Sequence, residues 1–288
     1  EPIRAYVDML HGRVEDDNIH MNIWTGPDAE YLTDGILARS DSLWDDAELL
    51  VEHMPDVHER VMSARLSVDY ALIESDRNRG DAWLVDHEKL LLDVNPAFTE
   101  LVGRFCKVAG RAGVEKLKEY GYTVEEYNSD IEKQVKPRSL KLLKSRKRKL
   151  SSQGLVYRYY EGKWKKLPEF NALKHKKSGS TERFQLPFEG NGEAHGFTFE
   201  GFITVPRKGV YAFYSRSDGF SSISIGSQRV VSTNGSDPVR ERRGFVALDA
   251  GSYPVKATFF TREDGRLLKI YYSGPGIEKQ EIPASCFK

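Results

Sequence analysis

Within the stretch GFITVPRKGVYAFYSRSDGFSSISIGSQRVVSTNG, residues 201–235, five consecutive residues set unlike tools side by side: Arg216, Ser217, Asp218, Gly219 and Phe220. A guanidinium, a hydroxyl, a carboxylate and an aromatic ring are means of non-covalent recognition, giving donors, acceptors and an apolar face. Two apolar strands frame the five. Tyr211 and Phe213 before them, and Ile223 and Ile225 after them, alternate with polar residues at the period of two that a half-buried strand requires. The expectation is an exposed recognition loop between two strands. The alternative is a loop that merely closes a hairpin, with Asp218 forming an Asx-turn.

Residues that could carry catalysis are less persuasive. Asp41, Asp45, Asp46 and Glu48 cluster on one helical stretch, and paired carboxyls can act as general acid and base. Their spacing reads instead as the solvated face of a helix and as partners of its dipole. His53 and His58 straddle a helix break with no third ligand nearby, which argues against a metal site. His175 and His195 read as loop residues without a serine or cysteine nucleophile, and there is no GxSxG, P-loop or dinucleotide fingerprint. No catalytic residue and no metal ligand is assigned. Cys106 and Cys286 lie far apart and form neither a CxxC site nor a disulfide framework. Trp24, Trp44, Trp83 and Trp164 read as packing residues, with Trp164 the most exposed of the four.

These residues need elements to hold them, and 288 residues suffice for two domains of ordinary size. Hydrophobic residues make up 39% and aromatic ones 11%, enough for folded cores. The 43 Lys and Arg balance 43 Asp and Glu, so composition gives no reason to expect nucleic acid or an acidic membrane as partner. No apolar run approaches the roughly 20 residues of a membrane span, and no signal-peptide pattern is present. The chain opens on Glu1-Pro2, and Ile3, Tyr6, Val7 and Leu10 already read as one helix face. The expectation is a piece of a longer protein.

Residues 1–135 carry a helical period and predict an all-α bundle. Ile36, Leu37, Ser40, Leu43, Trp44, Ala47, Leu50 and Val51 form one stripe. Val57, Val61, Ala64, Val68, Ala71 and Leu72 form a second, on a helix that Asp56 would cap in a capping box with Glu59. Helices joined by so short a turn pack antiparallel. Asn95-Pro96 opens a third helix with Phe98, Leu101, Val102, Phe105 and Ala109 inward. Residues 77–94 read as an irregular excursion. Residues 136–152 form a basic linker, since KPRSLKLLKSRKRK at 136–149 carries eight basic residues in fourteen and no acid. A phosphate-binding tract is the other reading of it. From 153 to 288 the period is two, with strands at Val156–Tyr160, Phe197–Val205, Val210–Tyr214, Ser222–Ile225, Gly244–Leu248, Tyr253–Phe260 and Leu267–Tyr272, which predicts an antiparallel β-sandwich. The fold class is therefore α+β and multidomain.

Four blocks in the second half, GLVYRYYEGKWKKLPEF at 154–170, FEGFITVPRKGVYAFYSRSDG at 199–219, GFVALDAGSYPVKATFF at 244–260 and YYSGPGIEKQEIPAS at 271–285, resemble the protective-antigen-type β-sandwich in the form appended to bacterial glycosidases such as chitobiase-like hexosaminidases. The first half is similar to the helical segment that follows the catalytic barrel in bacterial glycoside-hydrolase-like proteins distantly related to α-glucuronidases. Its matching words are IRAYVDMLHGRV at 3–14, DAEYLTDGILARSDSLWDDAE at 28–48 and ERVMSARLSVDYALI at 59–73. A barrel of eight strand–helix units takes about 200 residues and is not encoded here. The resemblance implies a secreted, periplasmic or cell-surface protein whose missing N-terminal barrel would be a partner of this chain, and a sandwich that binds a glycan.

Glycan-binding members of the resembled family carry adjacent aspartates in the 216–220 loop that hold calcium against the sugar. Here Asp218 falls on the first, Gly219 stands at the second and Phe220 at the glycine that follows. A further acidic position is Gly226, and an Asp-Asn-Asp-Gly turn has become Ser232-Thr233-Asn234-Gly235. A hard dication wants several charged oxygens, so no calcium or other cofactor is expected. The carbohydrate contacts implied are Asp218 with Arg216, Ser217 and Asn234 as hydrogen-bonding neighbours, and Phe220 or Tyr214 as the stacking face. The overall reading is a non-catalytic accessory part of a secreted glycoside-hydrolase-like protein, not itself an enzyme. Two alternatives remain open: a purely structural module with a degenerate loop, and a helical half that lends residues to a glycosidase active site, which would need two carboxyls about 5–9 Å apart.

Overall fold

A computed structural model describes residues 1–20, 26–27, 31–117, 121, 123–145, 154–162, 164, 168–188, 194–233, 240–261 and 267–288. The chain separates into two compact units, Glu1–Leu84 with Val94–Lys136, and Val85–Asp93 with Pro137–Lys288.

The first unit contains α1 (Pro2–Asp16), α2 (Asp34–Val51), α3 (Pro55–Arg79), α4 (Pro96–Arg111) and α5 (Val124–Gln134). On α2 the stripe Leu37, Ser40, Leu43, Trp44 and Ala47 is buried as the period predicts, while Leu50, counted inward, is 59% exposed. The helix α3 begins one residue earlier than expected. Pro55 takes its first turn, where the fixed φ suits a helix and the missing N–H costs nothing, so Met54 is the N-cap and Asp56 makes no capping box. Asn95 does cap α4, its side chain accepting from Ala97 N at 3.1 Å. The sequence reading missed α5, although Thr123 and Glu126 form a reciprocal capping box at its start. The short turn folds α3 back on α2, with Trp44 and Ala47 packed on Val61 and Val68. Phe98, Phe105, Tyr127 and Ile131 close a second cluster around Ile73.

The excursion read as irregular is a hairpin: β1 (Trp83–Asp86) and β2 (Leu91–Val94), with β3 (Arg138–Ser139) as third strand. Asp86 Oδ1 closes its turn by accepting from Glu88 N at 3.0 Å and Lys89 N at 2.9 Å. Strands of four residues are too short to display a period, which is why the pattern broke without revealing them.

The other strands are β4 (Leu142–Leu143), β5 (Leu155–Glu161), β6 (Lys177–Thr181), β7 (His195–Val205), β8 (Gly209–Ser217), β9 (Phe220–Ile225), β10 (Gln228–Ser232), β11 (Arg240–Leu248), β12 (Gly251–Thr261), β13 (Leu268–Gly274) and β14 (Ile277–Glu281). They form a six-stranded sheet, ordered β10-β9-β12-β7-β5-β6, and a five-stranded sheet, ordered β14-β13-β8-β11-β4. Neighbours run antiparallel except β4, whose Leu142 and Leu143 pair in parallel with Ala247 and Leu248. Part of the basic stretch 136–152 is thus paired into sheets, through Arg138–Ser139 on β2 and Leu142–Leu143 on β11; its residues 146–152 lie outside the described ones.

Between the sheets, Phe197, Phe199, Ile203, Phe213, Ile223, Ile225, Val246, Leu248, Ala257 and Phe259 are fully buried. Each large apolar side chain there contributes about 1.5–3 kcal/mol before entropy is subtracted. His195, read as a loop residue, is the first residue of β7 and is buried against the rings of Tyr159, Phe197 and Phe259. The strands β8 and β9 belong to different sheets. Residues between them form an arch across the end of the sandwich rather than a hairpin turn, because alternation identifies a strand but not its partner: β8 pairs with β11 and β13, and β9 with β10 and β12.

Candidate functional site

At the arch, strand parity decides what each side chain does. Ser215 and Ser217 face inward from the end of β8 and are buried. Ser217 Oγ donates to the Gly219 carbonyl at 2.7 Å and lies 3.1 Å from Ser221 Oγ. Ser215 Oγ lies 2.7 Å from Ser221 Oγ, and Thr233 Oγ1 accepts from Ser221 N at 2.7 Å. Hydroxyls fill one another's needs in a buried network that ties β8, β9 and the end of β10 together, as burial of polar groups requires. Asp218 Oδ2 accepts from Leu267 N at 2.9 Å, and Asp218 N donates to Leu267 O at 3.2 Å. The carboxylate clamps the start of β13 to the arch. Arg216 is exposed, and Phe220 is half-buried.

The two glycines that stand at acidic positions of the resembled family are held there by geometry. A Cβ on Gly219 would come within 2.3 Å of the Phe260 carbonyl oxygen, closer than any side chain tolerates. Gly226 has a φ of +61° in the β9–β10 turn, a left-handed conformation that an aspartate enters only at a cost. Among the described residues, no group of three His, Cys, Asp or Glu side chains is placed to hold a metal ion.

The five described residues among the six assigned to sugar contact do not converge. Tyr214 points outward from β8 on the five-stranded sheet and is only 6% exposed. Lys279 Nζ sits 4.7 Å from its ring centroid, the Arg243 guanidinium 5.6 Å, and its hydroxyl lies 3.2 Å from Ser273 Oγ. Phe220 points outward from β9 on the other sheet, stacked on Phe260 at 5.6 Å. Phe260 also meets Trp164, edge to face at 5.4 Å, so Trp164 is partly buried against the cluster of Tyr160 and Phe170. Tyr214 and Phe220 are therefore on opposite faces of the sandwich. Asn234, like Trp24, lies outside the described residues.

In the helical unit the acids expected on a solvated face meet a buried arginine. Arg65, with none of its surface exposed, donates through Nη1 to Asp45 at 2.7 Å and to Glu48 at 2.5 Å, through Nη2 to Asp41, and through Nε to Asp69 at 3.2 Å. Arg104 Nη2 adds a bond to Asp69 at 2.7 Å. Burial opposes the charge on Arg65, but its hydrogen bonds to Asp45 and Glu48 outweigh it and raise its pKa. Burial pushes the Asp69 carboxyl up against the pull of Arg104 and Arg65. The arrangement ties α2, α3 and α4 together and leaves Asp41, Asp45 and Glu48 engaged rather than free to flank a substrate. The sequence signal that was missed is Arg65 itself, a cation in the middle of the apolar stripe of α3.

A second charged row went unread. Val156 pairs with Glu200, and Glu200 with Lys256, across β5, β7 and β12 on the outer face of the six-stranded sheet. Arg158 Nη1 donates to Glu200 Oε2 at 2.7 Å, Lys256 Nζ lies 2.9 Å from Glu200 Oε1, and Lys256 Nζ donates to Asn171 Oδ1 at 2.8 Å. Burial alone would raise the Glu200 pKa, but Lys256 and Arg158 bonds prevail and hold it below its ordinary value. The bond to Glu200 raises that of Arg158. Only the register of β5, β7 and β12 brings these positions into one row.

Residues 151–285 match the PA14 domain family, and that stretch covers the whole six-stranded sheet and all of the five-stranded sheet except β4. The second half of the chain thus carries a PA14-type sandwich behind a helical half. No curated protein matches the chain. Among solved structures, an anti-sigma factor domain-containing protein from Clostridium clariflavum is 23% identical over 50% of this chain and 51% of its own, with a TM-score of 0.40. The PA14 sugar-binding domain from an RTX adhesin is 15% identical over 48% of this chain and 99% of its own, with a TM-score of 0.41. The Epithelial Adhesin 9 A domain from Candida glabrata, in complex with Galb1-3GlcNAc, is 12% identical over 47% of this chain and 88% of its own, with a TM-score of 0.39. This chain spans about half the length of the first of these. Among the described residues no helix is long and apolar enough to cross a membrane.

Proposed function

We propose that the sandwich is a glycan-binding module that works without calcium, and that the chain is the non-catalytic accessory part of a secreted glycoside-hydrolase-like protein whose barrel precedes the helical half. The observation that carries the binding role is the match of residues 151–285 to the PA14 domain family. Calcium independence is supported by the arch: Asp218 is engaged by Leu267 N, and a side chain at Gly219 would meet the Phe260 carbonyl oxygen. At the arch the reading keeps Arg216, Asp218, Phe220 and Asn234 as contacts, and sets aside Ser217 and Tyr214, which are buried. The hydrolase context rests on the helical words at 3–14, 28–48 and 59–73.

Affinity electrophoresis of the whole chain through gels containing a panel of neutral and acidic polysaccharides tests the binding role. Retention by at least one polysaccharide, unchanged by a chelator, is the expected result. Migration indifferent to every polysaccharide overturns the binding role, and retention abolished by the chelator overturns calcium independence. Aryl-glycoside hydrolysis by this chain alone would overturn the accessory role.

A further inference from the structure

The outer face of the six-stranded sheet holds a groove of about 480 Å³, inside the range of roughly 300–1,000 Å³ that small-ligand sites occupy. Two rows of β-sheet residues line it. Phe202 and Pro254 are cross-strand partners and give an apolar floor, while Val156, 44% exposed, lies opposite Glu200 in the neighbouring row. The next row along β7, about 7 Å away, is the ionic one formed by Glu200 and Lys256, with the Arg158 guanidinium drawn onto Glu200. That spacing suits a sugar ring, whose apolar face lies on the floor while its oxygens meet the ionic row.

The ionic row is held in place and still has hydrogen-bonding capacity. Among the described residues, Arg158 gives one of its five N–H groups to Glu200, and Lys256 gives two of its three to Glu200 and Asn171. Two cations face one carboxylate, so the row carries net positive charge. A guanidinium with unused N–H groups is the side chain best matched to a planar carboxylate. The three strands under the groove are interior to the sheet, with their ladder bonds made. A peptide therefore cannot be read here by strand addition, and recognition falls to side chains alone.

We propose that this groove binds a glycan unit carrying a carboxylate, with the ring on Phe202 and Pro254, the carboxylate on Arg158, and hydroxyls on Glu200 and Lys256. The proposal rests on the reading of the sandwich as a glycan-binding module and names its ligand class and surface. The groove is separate from the arch: Phe220 pairs with Phe260 and Phe260 with Gly196, six residues along β7 from Phe202, or about 20 Å.

The test is affinity electrophoresis of the whole chain in polygalacturonate, carboxyl-reduced polygalacturonate and polyglutamate, comparing wild type with Arg158→Gln, Lys256→Gln and Phe202→Ser, each checked for an unchanged thermal transition. Lys279→Gln, which removes an exposed cation from the other sheet, controls for net charge. The expected result is retention by polygalacturonate that falls about tenfold or more in Arg158→Gln and in Lys256→Gln, and that survives Lys279→Gln. Carboxyl reduction should abolish it. Phe202→Ser also removes a packed ring, so the two charge variants decide the case by themselves. Retention by polygalacturonate that both variants keep overturns the proposal, as does equal, variant-sensitive retention by polyglutamate, which would mark an acidic-peptide site. Retention by neutral polysaccharides alone overturns the proposal and leaves the glycan-binding reading standing, whereas no retention by any polysaccharide overturns both.

Discussion

Two clusters of ionic side chains, one in each unit, use the same residue types to opposite ends. Around Arg65 the guanidinium is wholly buried and bonds to Asp41, Asp45, Glu48 and Asp69, with Arg104 closing the far side of Asp69. Around Glu200 the cations are about a third exposed, with 34% of the Arg158 side chain and 31% of the Lys256 side chain accessible, and, among the described residues, N–H groups are left over. A buried charge must be matched completely, because the interior offers no water to complete it. A charge at the edge of a groove can keep part of its valence for a ligand. What separates a structural network from a recognition surface here is unused donor capacity at a solvent-accessible place, and neither charge count nor residue type reveals it.

The largest effect is expected where the matching is complete. Arg65→Met leaves Asp69 buried with only Arg104 for company, and breaking one side of a buried ion network costs about 3–5 kcal/mol. Chemical denaturation followed by the helical circular dichroism signal should show that loss. A cost below about 1 kcal/mol, the worth of a surface pair, would place Arg65 on the same footing as Arg158 and dissolve the contrast. At the arch, Gly219→Asp restores the second aspartate of the resembled family. Its Cβ must displace the Phe260 carbonyl, so a loss of about 1–3 kcal/mol is expected, with no heat of calcium binding by titration calorimetry. A calcium-binding variant of unchanged stability would show the arch to be more pliant than its contacts imply. Asp218→Ala removes the acceptor for Leu267 N and should cost about 1 kcal/mol, measured by urea denaturation; no change would mean the clamp is dispensable.

How much of this was legible in the sequence follows the same division. The α2 stripe, the Asn95 cap and seven strands were readable because each is a local pattern. The element β8 was visible as a strand, yet its separation from β9 into another sheet was not, since pairing is a long-range property that alternation does not encode. Asp45 keeps the solvated face read for it, with 62% of its side chain exposed, but the helix carrying Asp41, Asp45 and Glu48 gives no sign of the cation opposite; Arg65 is seventeen residues beyond Glu48. The candidate set at the arch was drawn from neighbours in sequence, and strand parity then sent Tyr214 and Phe220 to opposite faces. Arg158, Glu200 and Lys256 lie far apart in the chain and become one row only through the register of β5, β7 and β12.

The smallest effect is a matter of pH, and it separates the two clusters without altering the fold. Glu200 is held below its ordinary pKa by Lys256 and Arg158 acting against burial, so its carboxylate favours the folded state. That contribution is complete above the unfolded value of about 4.3 and fades as pH falls through the lower folded value, because protonating the folded protein then breaks both bonds. Urea denaturation at steps from about pH 6 downward should therefore show a stability loss in wild type that Glu200→Gln lacks over the window below pH about 4.3. Asp69 behaves in the opposite sense: burial raises its pKa, so its charged form costs stability above the folded value, a cost that is lifted as pH falls and that Asp69→Asn removes. If Glu200→Gln leaves the acid limb of the profile unchanged, the Arg158–Glu200–Lys256 row is not assembled in solution, and the preorganised edge that distinguishes it from an ordinary solvated face is absent.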